Sequence, residues 1–413
     1  MNRPQTLRVA GRSPILLEID TDAISDNTRL LAARTPKELL VVVKGDGYGH
    51  GAATLAHAAV RGGASWVGVT GIGHGVALRE AGIGVPILSW LHDGEIDPGV
   101  AAGECIDLAI GSFDDLAAVA RSSRRVRVHL NVDTGLAREG FAEADWVRAA
   151  ALLADAERKR RIAVVGLMSH LASADVPGHL ANGAQRLAFE RALAVARAAG
   201  LRPTITHLGA TSAVLTAPET PGTLVRVGAG TVGIDLTATT ELRGAMTLTA
   251  PLLDVREVAA GTASGYGHLW RSDRATRLGL VPVGYADGLP RAATALRPRT
   301  AGSAAGSGPE VLVTGRRVPV VGPMSMNALV VDLGPDGPAR PGDPVTVFGA
   351  PRASAAGSPE SATAPTVAEW AAWAGTIPQD VVTSVGRALP RVVVGSAASG
   401  AAWERRRTER RSA

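Results

Sequence analysis

Short β-branched segments alternate with longer Ala- and Leu-rich segments over residues 20–240, and this alternation limits the possible folds more than any other feature of the chain. Eight repeats of strand followed by helix are typical of a (β/α)8 barrel. We therefore predict an α/β fold whose first domain, residues 14–240, is a (β/α)8 TIM-type barrel. The predicted barrel strands are Leu40–Lys44, Trp66–Val69, Pro86–Ser89, Ile106–Ala109, Arg127–Val132, Ala163–Met168, Thr204–His207 and Leu224–Val227.

The pattern changes after about residue 240, where short strands are separated by Gly, Pro and Asp turns. This predicts a mostly antiparallel β domain over residues 241–396, with residues 1–13 packing on it and one helix near Ala368–Ala374. The segments 299–309 and 350–364 are rich in Ala, Ser, Gly and Pro and are predicted to be surface loops. The predicted strands of this domain are Thr247–Val255, Arg277–Val283, Val311–Val321, Asn327–Asp332, Asp343–Phe348 and Arg391–Val394.

Composition excludes several classes of protein. Hydrophobic residues make up 46% and charged residues 20% of the 413 positions, which is globular rather than disordered. No apolar run reaches the roughly 18 residues of a membrane span, and the N-terminus lacks the apolar core of a secretory signal, so a cytoplasmic protein is expected. The single cysteine, Cys105, excludes an intrachain disulfide and a thiol-rich metal cluster, and we predict no metal site.

The chain is basic, with a formal net charge of +5 and a pI near 9.9. The densest basic run lies in residues 404–413, however, and no nucleic-acid motif accompanies it. We predict that residues 397–413 form a disordered tail and that the chain binds no nucleic acid.

Active sites of such barrels lie at the C-terminal ends of the strands. Here those ends carry a set of basic and polar residues that suits an anionic cofactor: Lys44, Asn131, Asp133, Arg138, Ser169, His170, His207, Thr211, Ser212, Arg226 and the turn 228–230. A lysine that closes an apolar strand is partly desolvated, which lowers its pKa and favours Schiff-base formation. On local residues alone, an ordinary strand-end lysine is the commoner interpretation of Lys44, and a plain turn is a commoner interpretation of Gly228-Ala229-Gly230 than a phosphate-binding one.

The motif VVVKGDGYGHGA resembles the pyridoxal-phosphate motif of the alanine racemase family, and the likeness continues from about residue 14 to 394. The segments HLNVDTGLAREGF, GLMSHLASAD, HLGATSAVL, VRVGAGTVGID, GYGHLW, VPVGYADGLPR, VVGPMSMN and AGTIPQDVVTSVGRALPR follow in the family's order and spacing. The resemblance implies an N-terminal barrel, a C-terminal β domain and pyridoxal 5'-phosphate as cofactor. It also implies racemisation of a small amino acid, L-alanine to D-alanine, by a homodimer with shared active sites.

The resemblance implies a role for each matching residue. Lys44 would bind the cofactor covalently and act as one of two bases, and Tyr266 of the partner subunit would be the other. A base is needed on each face of the planar carbanion. The residues implied to hold the phosphate are Tyr48, Ser212, Gly228 and Ala229. Arg226 would face the pyridine nitrogen with His170 and His207 behind it, and a guanidinium there keeps the ring unprotonated.

Substrate contacts follow from the same resemblance. Arg138 would lie near the phenolic oxygen and the substrate carboxylate, Met326 would bind that carboxylate through its backbone, and Tyr285 would line the entrance. Asn131 stands where the family often has a carbamylated lysine, so Arg138 would need another partner, such as a bound chloride or water. Asn327 replaces an aspartate, and Gln379 replaces a tyrosine that narrows the substrate pocket.

Four functions remain open. The first is an alanine racemase that supplies cell-wall precursor. The second is a racemase for serine or another larger amino acid, which Gln379 favours by widening and polarising the pocket. A decarboxylase of the same fold would need a cysteine in the second domain, whereas Cys105 lies in the predicted barrel. A non-catalytic cofactor-binding protein would resemble the barrel alone.

Overall fold

The computed structural model describes residues 15–92, 96–294, 308–349 and 363–396. The expected N-terminal extension 1–13, the tail 397–413 and most of the two expected loops lie outside these residues. The strands are β1 Leu16–Asp20, β2 Glu38–Val42, β3 Trp66–Thr70, β4 Ile87–Trp90, β5 Ile106–Ile110, β6 Val126–Asn131, β7 Ile162–Met168, β8 Ile205–His207, β9 Leu224–Val227, β10 Met246–Pro251, β11 Asp254–Val258, β12 Ala263–Ser264, β13 Trp270–Arg271, β14 Thr276–Val281, β15 Glu310–Val313, β16 Arg316–Pro319, β17 Leu329–Asp332, β18 Pro344–Phe348 and β19 Arg391–Val394. The helices are Thr21–Ala33, Ala52–Arg61, Ile72–Glu80, Pro98–Gly103, Phe113–Ala120, Trp146–Arg158, Leu180–Ala198, Thr211–Thr216, Val367–Ala374 and Pro378–Ala388.

Strands β2 to β9 form the predicted barrel. Their order is β8-β7-β6-β5-β4-β3-β2-β9, and every neighbouring pair is parallel. The sheet is nearly closed, since the backbone N–H of Arg226 on β9 donates to the Gly209 carbonyl just after β8 at 3.1 Å. The (β/α)8 expectation is therefore confirmed.

The barrel interior is filled by apolar side chains, most of them large, from alternate strand positions. These side chains are Leu40, Val42, Trp66, Leu88, Trp90, Ala109, Met168 and Leu224, all buried. Each large side chain buried in this way stabilises the fold by about 1.5–3 kcal/mol relative to its exposure to water. Polar side chains also lie in the interior, among them Asp107 on β5 and His129 on β6, and both are buried.

A second unit comprises the described parts of residues 15–21, 48–50 and 244–396. Its largest sheet has the order β16-β15-β18-β10-β1-β19, antiparallel except for the parallel β1–β19 pair. Smaller sheets, β11-β14-β17 and β12-β13, are antiparallel throughout. The mostly antiparallel character expected of this region is confirmed.

Strand β1 differs from the expected barrel span of 14–240, because it pairs with β10 and β19 and not with any barrel strand. Its alternating burial, with Leu17 and Ile19 inward, is that of a half-buried strand. A short apolar strand followed by a helix has the same sequence pattern whether the strand belongs to the barrel or to the other sheet. Composition alone therefore could not show which sheet contains β1.

Three local expectations were also inaccurate. The predicted strand 247–255 is two strands, β10 and β11, because the chain changes sheet at Leu252 and Leu253. The predicted strand 311–321 is a hairpin of β15 and β16, turned by Thr314 and Gly315 at positive φ. The helix Pro378–Ala388 was not predicted.

No helix among the described residues is long and apolar enough to cross a membrane.

Candidate active site

Lys44 lies at the start of a left-handed turn that follows β2. Gly45, Asp46, Gly47 and Tyr48 all have φ between 52° and 64°. Strand β2 ends at Val42, so Lys44 does not close the strand as the sequence had predicted, but begins the turn that follows it. Side chains at left-handed positions cost about 1–2 kcal/mol each, so the turn at Asp46 and Tyr48 is held by its surroundings.

Hydrogen bonds fix this turn. The Gly47 N–H donates to the Val43 carbonyl at 2.9 Å, and the Gly51 N–H donates to the Asp46 carbonyl at 2.8 Å. The Asp46 carboxylate also accepts from the Ala52 N–H at 2.8 Å, at the start of the next helix. Lys44 is therefore carried by a turn with little freedom to move.

The electrostatic environment of Lys44 favours the neutral amine. The residue as a whole is exposed, yet partial desolvation by the surrounding barrel mouth lowers the pKa of its ammonium group. Arg138 and Arg226 lower this pKa further, whereas Glu139 raises it. A lysine with a lowered pKa in a cleft is a candidate nucleophile.

Arg226 is buried on β9 and makes four hydrogen bonds. Its Nη1 donates to Nδ1 of His207 at 2.8 Å and to the His207 carbonyl at 2.9 Å. Its Nη2 donates to the Ser169 carbonyl at 2.5 Å and to Nδ1 of His170 at 3.0 Å. Among the described residues, its Nε–H has no acceptor. The guanidinium is thus clamped on two sides with one N–H left for a ligand.

Burial keeps the neighbouring histidine neutral. Desolvation, reinforced by Arg226, Arg138 and Lys44, lowers the pKa of His170 to about 3. Because its Nδ1 accepts from Arg226, the ring proton must lie on Nε2. Burial also lowers the pKa of Arg226 to about 10, which still leaves the guanidinium charged at neutral pH.

Arg138 is positioned by a turn capped by Asp133. One carboxylate oxygen of Asp133 accepts from the N–H groups of Gly135, Leu136 and Ala137 at 2.8, 2.9 and 3.1 Å. Arg138 Nη2 donates to the Glu139 carboxylate at 3.0 Å. Glu139 therefore supplies the negative partner that Arg138 was expected to need beside the neutral Asn131, and the sequence reasoning missed it.

Three of the four residues expected to hold a phosphate lie at two neighbouring helix starts. Ser212 is in the first turn of Thr211–Thr216, and Gly228 and Ala229 begin the 3-10 turn 229–232. Thr211 Oγ1 accepts from the N–H groups of Gly228 and Gly230 at 3.2 and 3.4 Å, which joins the two starts. A Cβ at position 230 would lie 2.6 Å from Thr211 Cγ2, so only glycine permits this approach.

Four further candidates belong to the second unit. Tyr266 is 70% exposed in a short 3-10 turn, and Met326 is also exposed. Tyr285 and Met326 are brought together, because the N–H of Ala286 donates to the Met326 carbonyl at 2.8 Å. Gln379 is half-buried in the first turn of Pro378–Ala388, and its Oε1 is buried with no hydrogen-bond donor among the described residues.

Tyr48 lies in the short segment 48–50 of the same unit. Burial raises the pKa of its hydroxyl, which therefore stays protonated. The next residue, Gly49, packs against Pro378–Ala388 and accepts from Arg391 through its carbonyl at 3.1 Å.

Comparison with known proteins gives one consistent result. The protein-family model described as "Alanine racemase, N-terminal domain" matches residues 19–235, and the family model described as "Alanine racemase, C-terminal domain" matches residues 245–393. A relative named alanine racemase from Thermobifida fusca is 42% identical over 390 residues, covering 92% of this chain and 97% of the relative. One from Salinispora tropica is 38% identical over 388 residues, covering 92% and 98%. The solved alanine racemase of Streptomyces coelicolor A3(2) is 37% identical, with a TM-score of 0.83 over 93% of this chain and 98% of that one.

Proposed function

Since the chain belongs to the alanine racemase family and is an amino-acid racemase, we propose that it interconverts L- and D-alanine with pyridoxal 5'-phosphate bound at the barrel mouth. The observation that carries this proposal is the position of Lys44. It is a lysine of lowered pKa, on a rigid turn, beside Arg138 and Arg226. The proposal includes a cytoplasmic homodimer with shared active sites.

The residues at the mouth fit this cofactor. Lys44, Arg138 and Arg226 face one carboxylate, Glu139, so an anion would relieve an excess of positive charge. The cofactor is an anionic aldehyde with a basic ring nitrogen. Lys44 would bind its aldehyde, the helix starts at Ser212 and Ala229 would hold its phosphate, and the open Nε–H of Arg226 would face the ring nitrogen.

The chain's own residues would then perform the proton transfers. When bound, the cofactor supplies an electron-withdrawing group that makes the Cα proton of an attached amino acid acidic. Lys44 Nζ would accept or donate this proton on one face of the substrate, and the Tyr266 hydroxyl of the partner subunit would do so on the other. Arg138 would orient the substrate carboxylate. His170, neutral and fixed by Arg226, would hold that arginine in place.

A second substrate is favoured by one observation. Gln379 presents a buried Oε1 that has no donor among the described residues. A substrate hydroxyl could satisfy this acceptor, whereas the methyl group of alanine could not. Serine is therefore the alternative substrate of the same site.

Two measurements test the proposal. Purified protein is incubated with a panel of L-amino acids, and the products are separated by chiral chromatography, with D-alanine expected as the main product. Borohydride reduction of the loaded protein should fix the cofactor on Lys44, as located by peptide mass spectrometry. Lys37→Ala serves as the matched control, because Lys37 donates to the Pro218 and Thr220 carbonyls away from the mouth. Undiminished labelling of a Lys44→Ala protein would contradict the assignment.

A further inference from the structure

A continuous row of hydrogen bonds runs from Arg226 through the interior of the barrel. His207 Nε2 and His129 Nδ1 are 2.8 Å apart, and His129 Nε2 lies 3.3 Å from the Asp107 carboxylate. Arg127 Nε donates to both oxygens of that carboxylate, at 2.9 and 3.1 Å. We call His207, His129 and Asp107 the barrel row. All three are buried. Their link to the proposed cofactor site is the hydrogen bond between His207 and Arg226.

The positions of the protons in the barrel row follow from its two ends. An arginine can only donate, so Nδ1 of His207 must accept and its proton must lie on Nε2. That proton is donated to Nδ1 of His129, which leaves the His129 proton on Nε2. It is donated in turn to Asp107, which as a carboxylate can only accept. Every bond therefore points from Arg226 toward Asp107, and reversing one of them reverses all.

Neutral rings are consistent with this order. Burial lowers the pKa of His207 well below its ordinary value, and Arg226 lowers it further. Burial also lowers the pKa of His129, although Asp107 opposes this. Asp107 stays ionised because hydrogen bonds from His129 and Arg127 outweigh the effect of its burial on its pKa. Asp107 is thus a buried carboxylate that accepts from His129 and Arg127, and the two rings between it and Arg226 are neutral.

The barrel is shaped to admit the His129 ring. A Cβ at Gly166 of β7 would lie 2.1 Å from Nδ1 of His129, so no larger residue fits there. The register of β6 against β7 shifts at His129, and this shift brings Gly166 opposite it. The ring is also packed edge-on against Trp66 and His207, with centroids 6.0 and 5.0 Å away.

We propose that Asp107 and His129 are positioning residues for the reaction, which fix the proton order of the barrel row and thereby hold Arg226 with its Nε–H open. The consequence for catalysis rests on the proposed function, in which Arg226 faces the cofactor ring nitrogen. An acceptor at position 107 is required, because a donor there would reverse both rings and point the His207 Nδ1 proton at the Arg226 guanidinium. The two buried donors would then repel each other.

The proton order can be measured on the wild-type protein without any activity. Histidine labelled with ¹⁵N gives distinct long-range proton–nitrogen spectra for the two neutral forms of each ring. We expect His129 and His207 to be neutral with the proton on Nε2 at pH 7, with or without cofactor. A proton on Nδ1 of either ring, or a charged ring, overturns the inference and leaves the proposed racemase activity untouched.

A variant tests the effect on catalysis. Asp107→Asn replaces one of two accepting oxygens with an NH2 group that faces the donors Arg127 and His129, so it should change the ring spectra and lower kcat by about ten- to a hundredfold, as loss of an orienting partner does elsewhere. It should also raise the share of substrate lost to transamination, since a displaced Arg226 no longer weakens the ring as an electron sink. Asp332→Asn is the matched control, because Asp332 is equally buried and accepts from a half-exposed arginine, Arg274, at 2.9 Å.

The control separates positioning from general destabilisation. Asp332→Asn should leave the ring spectra and the transamination share unchanged even where it lowers stability. If Asp107→Asn folds and keeps both wild-type kcat and wild-type transamination share, the inference is wrong. If it fails to fold, the spectra of the wild-type rings still decide the question.

Discussion

The pKa of Lys44 should respond in opposite directions to two neighbouring substitutions. Arg138 lowers this pKa and Glu139 raises it, and the two side chains are paired with each other at 3.0 Å. Arg138→Gln should therefore raise the pKa of Lys44, and Glu139→Gln should lower it. Because covalent attachment needs the neutral amine, the first substitution moves attachment to higher pH and the second to lower pH.

The order of magnitude follows from Coulomb's law and from the exposure of the side chains. Two unit charges at about 8 Å in an effective dielectric of about 20 interact by about 2 kcal/mol. The Arg138 side chain is 45% exposed and Glu139 is partly neutralised by it, so solvent reduces the effect by half or more. Each substitution should change the free energy of protonating Lys44 by about 0.7–1.4 kcal/mol, in the direction given above. The double variant should lie close to the wild type.

The sequence makes this measurement straightforward, because Lys37, Lys44 and Lys159 are its three lysines. Cofactor-free protein is labelled with trace acetic anhydride over a range of pH, and the lysine peptides are quantified by mass spectrometry. Lys159, which is mostly exposed, serves as the internal reference. At neutral pH, Lys44 labelling should fall about three- to tenfold in Arg138→Gln and rise by a similar factor in Glu139→Gln. Shifts in the same direction for both variants would refute the reasoning.

Three further outcomes are expected. Equal mixing of inactive Lys44→Ala and Tyr266→Phe proteins should restore about a quarter of the wild-type sites if subunits exchange freely, and no recovery after exchange would count against a shared site. Gln379→Tyr should shift the ratio of kcat/KM for alanine over serine toward alanine, by about ten- to a hundredfold if one buried polar contact is lost. An unchanged ratio would show that Gln379 does not determine the substrate preference. Gly49→Ala should lower the free energy of unfolding in urea by about 3 kcal/mol or more, because its φ is +79° and a Cβ would lie 2.2 Å from the Val382 carbonyl oxygen. Gly183→Ala is the control, since a Cβ there meets nothing within 4 Å and the substitution should be neutral or stabilising.

The sequence predicted the barrel and part of its mouth well, for a physical reason. Strand–helix alternation determines a parallel sheet, and the C-terminal ends of parallel strands meet at one rim. Lys44, Arg138, His170 and Arg226 were expected at that rim, and their mutual electrostatic effects agree with it. The second unit was less predictable, because its chain changes sheets within apolar runs that read as single strands.

Two of the three members of the barrel row, Asp107 and His129, were missed because they do not lie at strand ends. Asp107 and His129 lie within the segments IDLAI and VRVHLN, where they interrupt apolar strands. Such interruptions are a usable signal, since a charged group inside a barrel needs a partner there. The identity of that partner depends on the register between strands, and the shift between β6 and β7 was not visible in composition.

The position of β1 has a consequence for folding during synthesis. This strand, the first of the described residues, lies between β10 and β19, and Thr21 just after it donates to Val394, 373 residues later. At about 5–20 residues per second, about 20–75 s separate the synthesis of these two partners. Strand β1 must therefore wait with both edges unpaired while the barrel is being made, and unpaired strand edges promote association between chains. Slower elongation should accordingly lower the yield of native protein, because β1, the first strand among the described residues, is completed only by β19, the last of them.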